Sequence, residues 1–260
     1  MVDMTDDSRT LLIDWFDRYV NRYRDKKGNL PDALELKYRH SQRVAENARL
    51  IAQGLNLTPE EILMAEGCGL VHDIGRFPQY IRYGSFHDAD TVDHGQEGRR
   101  TLEKEQIPRH FDADDWERIA CAVEYHNKKV SDIPENLEDG VKFYLRLIRD
   151  ADKLDIMDLV MKSVANDGFS NLSDMLPHIR TSRELTPAVV EEILKTKTVS
   201  VNNLRTVTDF VAMLASWFYD LNYAPTRSLA SDHYILRRIE EALPDTQDIR
   251  DLLTDIKTGL

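Results

Sequence analysis

Cysteine is nearly absent from this chain: Cys68 and Cys121 are the two thiols in 260 residues. Two thiols cannot staple a chain of this length. Their apolar sequence surroundings predict reduced core side chains in an intracellular protein. Positive charge is also short, with 34 Lys and Arg against 46 Asp and Glu, a formal charge of −12. A surface of that sign repels phosphate backbones, so no duplex nucleic acid is expected as a partner, although a local basic pocket can still hold a small phosphate. Long hydrophobic runs are missing. The longest, near Phe210 to Phe218, is broken by Ser216 and is about half of what spans a bilayer. The start, Met1 to Arg9, is polar and acidic and lacks the pattern of a secretory signal. The expected location is the cytoplasm, with no membrane partner. No G-x-x-x-x-G-K-[ST] or G-x-S-x-G occurs, and neither cysteine has a C-x-x-C partner. P-loop, esterase and zinc-ribbon chemistries are thereby excluded.

What the chain has in abundance is helical periodicity; alternating strand patterns and Asn-Gly hairpin signals are few. A first amphipathic helix is predicted over 8–24, with Leu12, Trp15, Phe16 and Val20 on one face, followed by a polar turn at Lys26 to Asn29. A second spans about Pro31 to Gln53. Thr58, Pro59 and Glu61 supply a cap, a first-turn proline and a capping box for a third helix, predicted to reach Asp73 and stop at Gly75. An acidic loop over Asp88 to Gly95 precedes a short helix ending near Leu102. Asp112 caps a helix to Tyr125 or His126, Ser131 to Asp139 form a loop, and an apolar helix covers Val141 to Leu159. Three or four more helices follow, the clearest at Asn203 to Tyr219 and Gln247 to Lys257. Asn166 to Ser173 and Tyr223 to Ser231 read as connections. With no repeat and no low-complexity linker, the expected architecture is a single all-α domain over 1–260.

Eight histidines are present, at 40, 72, 87, 94, 110, 126, 178 and 233. Helical phase places His40 on one stripe with Val44, Ala48, Ile51 and Leu55, pointing it toward the core. His126 falls in line with Trp116, Ile119 and Val123. An apolar run delivers the adjacent His72 and Asp73 into a helix end. A buried carboxylate beside a buried imidazole needs a cation or a dense hydrogen-bond set, and a divalent metal supplies one. Other apparent motifs fail. Asp88-x-Asp90-x-x-Asp93 has Val92 where a calcium loop needs an acid. His87 reads as part of the acidic loop and His110 as surface.

The order His40, His72-Asp73, then an Asp near 152 resembles the H…HD…D pattern of the HD-domain metal-dependent phosphohydrolases. The text around it, Gly69 to Arg76 and Leu147 to Asp155, is similar too. The resemblance implies an all-helical bundle, with an HD core at about 36–160 and the helices of 8–24 and 170–260 packed on it. It implies one metal held by His40, His72, Asp73 and Asp152. Asp150 is the rival for the last position; phase cannot separate the two in so apolar a helix, and the family's Ala-Asp-x-Leu text favours Asp152. In two-metal relatives further histidines lie between the HD pair and the final Asp, with the Asp of the pair bridging. His94 and His126 occupy matching places in order. Alternatively they hydrogen-bond a substrate phosphate beside one ion. The chain departs from the cyclic-dinucleotide HD-GYP enzymes: Arg76 replaces a Lys, Asn127 follows His126, and no Gly-Tyr-Pro follows.

The resemblance thus implies a metal-dependent phosphohydrolase acting on a small phosphorylated substrate, expected to be a nucleotide. One or two divalent ions are implied (Mn, Fe, Ni, Co or Mg). Asp73 and Arg76 are the expected catalytic residues, Arg76 either binding phosphate oxygens or forming a salt bridge to Asp150 or Asp152. Asp150 or Asp155 is a candidate proton relay. Gln79, Lys128, Lys129 and Lys153 are lesser candidates at the pocket edge. Two other readings stay open: a metal- or nucleotide-binding regulator without turnover, and an HD-fold di-iron oxygenase. The apolar stretch Val211 to Phe218 fits a core better than the contact of a homodimer.

Overall fold

The computed structural model describes residues 6–167, 179–180 and 182–259. His178 and residues 168–173 of the connection expected at Asn166 to Ser173 lie outside the described residues, while Asn166 and Asp167 are the last residues of a long helix. Those residues are helical, joined by turns, with one isolated bridge between Arg180 and Thr206. No helix among them is long and apolar enough to cross a membrane.

The chain divides into two compact units, Met1–Asp152 and Lys153–Leu260. The boundary falls inside a helix, which is why no Pro- or Gly-rich linker marks it in the sequence. The first unit opens with α1 (Asp6–Asn21), which buries Leu12, Trp15, Phe16, Tyr19 and Val20. The turn that follows is held by Asp25, whose carboxylate accepts from the backbone N–H of Lys27 and Asn29 at 2.8 and 2.9 Å. Along α2 (Asp32–Gly54) the stripe of His40, Val44, Ala48 and Ile51 is buried, as its phase predicts. At the start of α3 (Pro59–Val71) the capping box forms: Thr58 Oγ1 accepts from Glu61 N, and Glu61 returns an acceptor to Thr58 N.

Close helix contacts rest on glycine. A Cβ on Gly69 would lie 2.9 Å from the Cα of Ala45, so α3 presses against the backbone of α2. The predicted third helix ends earlier than expected, at Val71, and His72 to Gly75 form a turn leading directly into α4 (Arg76–Tyr83). Gly75 is required there, because a Cβ would sit 2.1 Å from the carbonyl oxygen of His94. Asp93 caps α5 (His94–Lys104) by accepting from Gln96 N, and Asp112 caps α6 (Ala113–Tyr125) by accepting from Asp115 N. The long α7 (Asp139–Asp167) closes this unit with its first half.

The second unit begins within α7. That helix outruns the predicted Leu159 because Val160 and Met161 continue its buried face. It packs in a core with α8 (Pro187–Thr196), α9 (Val207–Ser216), α10 (Ala224–Asp232), α11 (Ile235–Ala242) and α12 (Gln247–Gly259), centred on Met157, Met161, Val211, Leu214, Ile239 and Leu252. The predicted Asn203–Tyr219 helix is shorter, since the capping box of Thr206 and Asp209 fixes its start at Val207. Phe210 to Ala215 are all buried. Tyr223 to Ser231, expected as a connection, forms most of α10. Pro225 stands in its first turn, where a missing N–H is tolerated, and Thr226 and Ala230 bury its inner face.

Candidate metal centre

Four helices and one turn of the first unit bring the predicted side chains together. His40 comes from α2, His72 and Asp73 from the turn after α3, His94 from the first position of α5, His126 from the end of α6, and Asp152 from α7. All are buried except Asp152, whose side chain is 19% exposed.

Asp73 organises the cluster, one oxygen to each side. Its Oδ2 lies 3.6 Å from His40 Nε2 and 3.7 Å from His72 Nε2. Asp152 Oδ1 completes that side at 3.1 Å from His40 Nε2 and 3.8 Å from His72 Nε2. The other oxygen, Asp73 Oδ1, lies 3.3 Å from His94 Nε2 and 3.5 Å from His126 Nε2. The two groups His40–His72–Asp73 and Asp73–His94–His126 each have the spacing to hold an ion.

Hydrogen bonds behind the rings decide which nitrogens face the centre. His72 Nδ1 donates to the carbonyl of Gly69 at 2.7 Å, and His126 Nδ1 to that of Val123 at 2.8 Å. His94 Nδ1 donates to Asp88 Oδ2 at 2.5 Å. A carbonyl or carboxylate can only accept, so in each neutral ring the proton is on Nδ1 and the Nε2 lone pair points inward. His94 Nε2 and His126 Nε2 are 3.1 Å apart, and His72 Nε2 is 3.3 Å from His40 Nε2. The bare pair of His94 and His126 repels unless a cation lies between them. Asp73 Oδ1 and Asp152 Oδ1 are buried and accept no hydrogen bond. Orphaned oxygens and convergent lone pairs are what a pair of imidazole- and carboxylate-bound divalent ions would satisfy. The donor set fits.

Electrostatics point the same way. Burial pushes His72 down to about 3, and burial with the nearby Arg76 charge pushes His94 down to about 3, so both rings are neutral and able to ligate at neutral pH. Burial alone would raise the Asp73 carboxyl, but Lys37, His72 and Arg76 outweigh it and hold the group well below the usual carboxylate range. In Asp152 burial is likewise overcome by His40 and His72, and its carboxyl is lowered.

Arg76 forms the salt-bridge alternative, with other partners than expected. Its Nη1 donates to Phe86 O, Asp88 Oδ1 and Gln79 Oε1 at 2.6, 2.9 and 3.0 Å, and its Nε lies 3.5 Å from Asp73 Oδ1. Asp73 and Asp88, not Asp150 or Asp152, receive the guanidinium. Gln79 is buried and ties down the acidic loop through Asp88, Thr91 and Val92. Lys128 pairs with Asp93. Lys153, in the second unit, pairs with Asp220. His87 and His110 are exposed.

Two residues of the centre escaped sequence reasoning. Asp88 accepts from His94, Arg76, Gln79 and Asn127, the last at 3.2 Å. Lys37 donates to Asp73 Oδ2 at 2.7 Å. The one available signal for Lys37 is its place a helical turn before His40, on the same face.

Comparison with known proteins adds one match. The family model described as HD domain matches residues 38–157. No curated protein matches the chain, and no solved structure does.

Proposed function

We propose that this chain, whose residues 38–157 match the family model of the HD domain, is a metal-dependent phosphohydrolase that cleaves a phosphoester or phosphoanhydride of a small molecule, with nucleotides as the first class. The observation that carries this reading is Asp73, a buried carboxylate with a separate pair of imidazole Nε2 atoms against each oxygen. His40, His72, Asp73 and Asp152 would hold one divalent ion, and Asp73, His94 and His126 a second. Ions bound there supply Lewis acidity toward a phosphoryl oxygen and lower the pKa of a bound water.

The chain's own residues prepare the site for that chemistry. Gly69 O, Val123 O and Asp88 fix three ring orientations, so the Nε2 atoms are preset. Burial keeps His72 and His94 unprotonated at neutral pH. Arg76, anchored by Asp88 and the carbonyl of Phe86, maintains a fixed positive charge beside Asp73, suited to the negative charge of a phosphoryl group. Replacement of Asp73 by Ala tests the assignment: bound metal and phosphatase turnover should both be lost while the helical circular dichroism signal is retained. Turnover that survives in Asp73→Ala refutes it. Metal-loaded wild-type protein that leaves mononucleotides, triphosphates and cyclic dinucleotides intact favours a binding regulator instead.

A further inference from the structure

Resting on that reading, we propose that Lys37 is the residue through which this centre takes up a phosphate together with its metal. Lys37 lies on α2, and its Nζ is 2.7 Å from Asp73 Oδ2, the oxygen that faces His40 and His72. Its side chain is 12% exposed, so the ammonium is at the edge of the cluster, neither sealed in nor fully solvated. An ammonium has three N–H donors. Among the described residues, Asp73 is the one hydrogen-bond acceptor that Lys37 has.

Arg76 differs, being fastened by three acceptors on Nη1. Both cations lie against the Phe86 ring, Lys37 Nζ at 5.8 Å and the Arg76 guanidinium carbon at 5.6 Å from its centroid. The ring therefore retains the ammonium near the centre when its carboxylate partner is engaged elsewhere.

Charge then sets the consequence. With Asp73 Oδ2 serving as a metal ligand, Lys37 stands beside a divalent cation in a poorly solvated site, a repulsive arrangement. A phosphate with oxygens toward both the ion and Lys37 removes that repulsion and offers acceptors to the ammonium. Lys37 thus opposes metal binding alone and favours metal and phosphate together. By linkage, metal and phosphate each tighten the other's binding.

Calorimetric titration of Mn²⁺ into the metal-free full chain, with and without inorganic phosphate, tests this for wild type, Lys37→Met and Lys37→Arg. Phosphate should tighten Mn²⁺ binding in wild type. In Lys37→Met, Mn²⁺ alone should bind more tightly than in wild type, while the enhancement by phosphate falls by about tenfold or more, as loss of a charged hydrogen bond implies. Lys37→Arg should keep most of the enhancement. A common melting temperature across the three proteins establishes that folding is intact. Undiminished phosphate enhancement in Lys37→Met overturns the role of Lys37 and leaves the metal centre standing. Failure of the wild type to bind Mn²⁺ overturns the centre itself.

Discussion

Replacing Asp88 by Asn changes one oxygen into an amide nitrogen, keeps the volume, and removes no expected metal ligand. Asp88 accepts on Oδ2 from His94 Nδ1 and Asn127 Nδ2, and on Oδ1 from Arg76 and Gln79. Every group facing it is a donor. An Asn side chain can present its oxygen to one side only, so its NH₂ must confront either His94 or the Arg76–Gln79 pair. If it faces His94, the ring is driven to the opposite tautomer and its Nε2 acquires a proton, which blocks ligation. If it faces Arg76, a partly buried guanidinium loses one of its three acceptors. Loss of such an orienting partner typically weakens metal binding by about 10–100-fold, equivalent to roughly 1.4–2.7 kcal/mol. The effect should be confined to the side built from His94 and His126. His40, His72 and Asp152 are positioned independently of Asp88, so the first ion should bind within about threefold of wild type. Two-site calorimetry with Mn²⁺ reads both affinities. Equal weakening of both sites, or of neither, refutes the argument that Asp88 orients His94.

Other outcomes follow from the same geometry. Gly75→Ala would force a Cβ to within 2.1 Å of His94 O, separating α4 from α5 and displacing His94. We expect a loss of about 2–4 kcal/mol in urea unfolding, and wild-type stability would contradict the packing described. For pH, the folded values of His72 and His94, each lowered to about 3 from an ordinary 6.5, mean that the unfolded chain binds more protons between those limits. Stability of the metal-free protein is therefore fully present above pH 6.5 and falls as pH drops, each histidine contributing a loss of up to about 2 kcal/mol by pH 5. The lowered carboxyls of Asp73 and Asp152 add their own loss only below about pH 4. A flat urea midpoint between pH 7.5 and pH 5 in chelator-treated protein would contradict the neutral, buried state of these rings.

Local signals made much of the fold legible. Thr58 with Glu61, Asp112 and the His40 stripe depend on nearest-neighbour geometry, and the structure forms each as its spacing implies. The end of α3 was harder. The apolar run passes through His72 without a break, yet the helix stops at Val71, because the close approach of Gly75 to α5 is a tertiary constraint. The Tyr223–Ser231 stretch misled because Pro225 and the serines mark a connection or a helix start equally well. In the centre, the ligand candidates were visible through residue type and order. Asp152 stands at the cluster, but phase alone could not separate it from Asp150, since α7 buries both faces there. Asp88 and Lys37 were invisible for another reason: each acts by the reach of one side chain across the fold, with no periodicity to mark it.

On the proposed reading, Asp73 stands between two cation sites. Anomalous diffraction from crystals grown with Mn²⁺ tests it most directly, since the peaks locate the ions without reference to activity. Two peaks are expected, one beside His40, His72 and Asp152, the other beside His94 and His126, with a separate oxygen of Asp73 at each. Crystals with Mn²⁺ in excess and no peak within reach of Asp73 would contradict it.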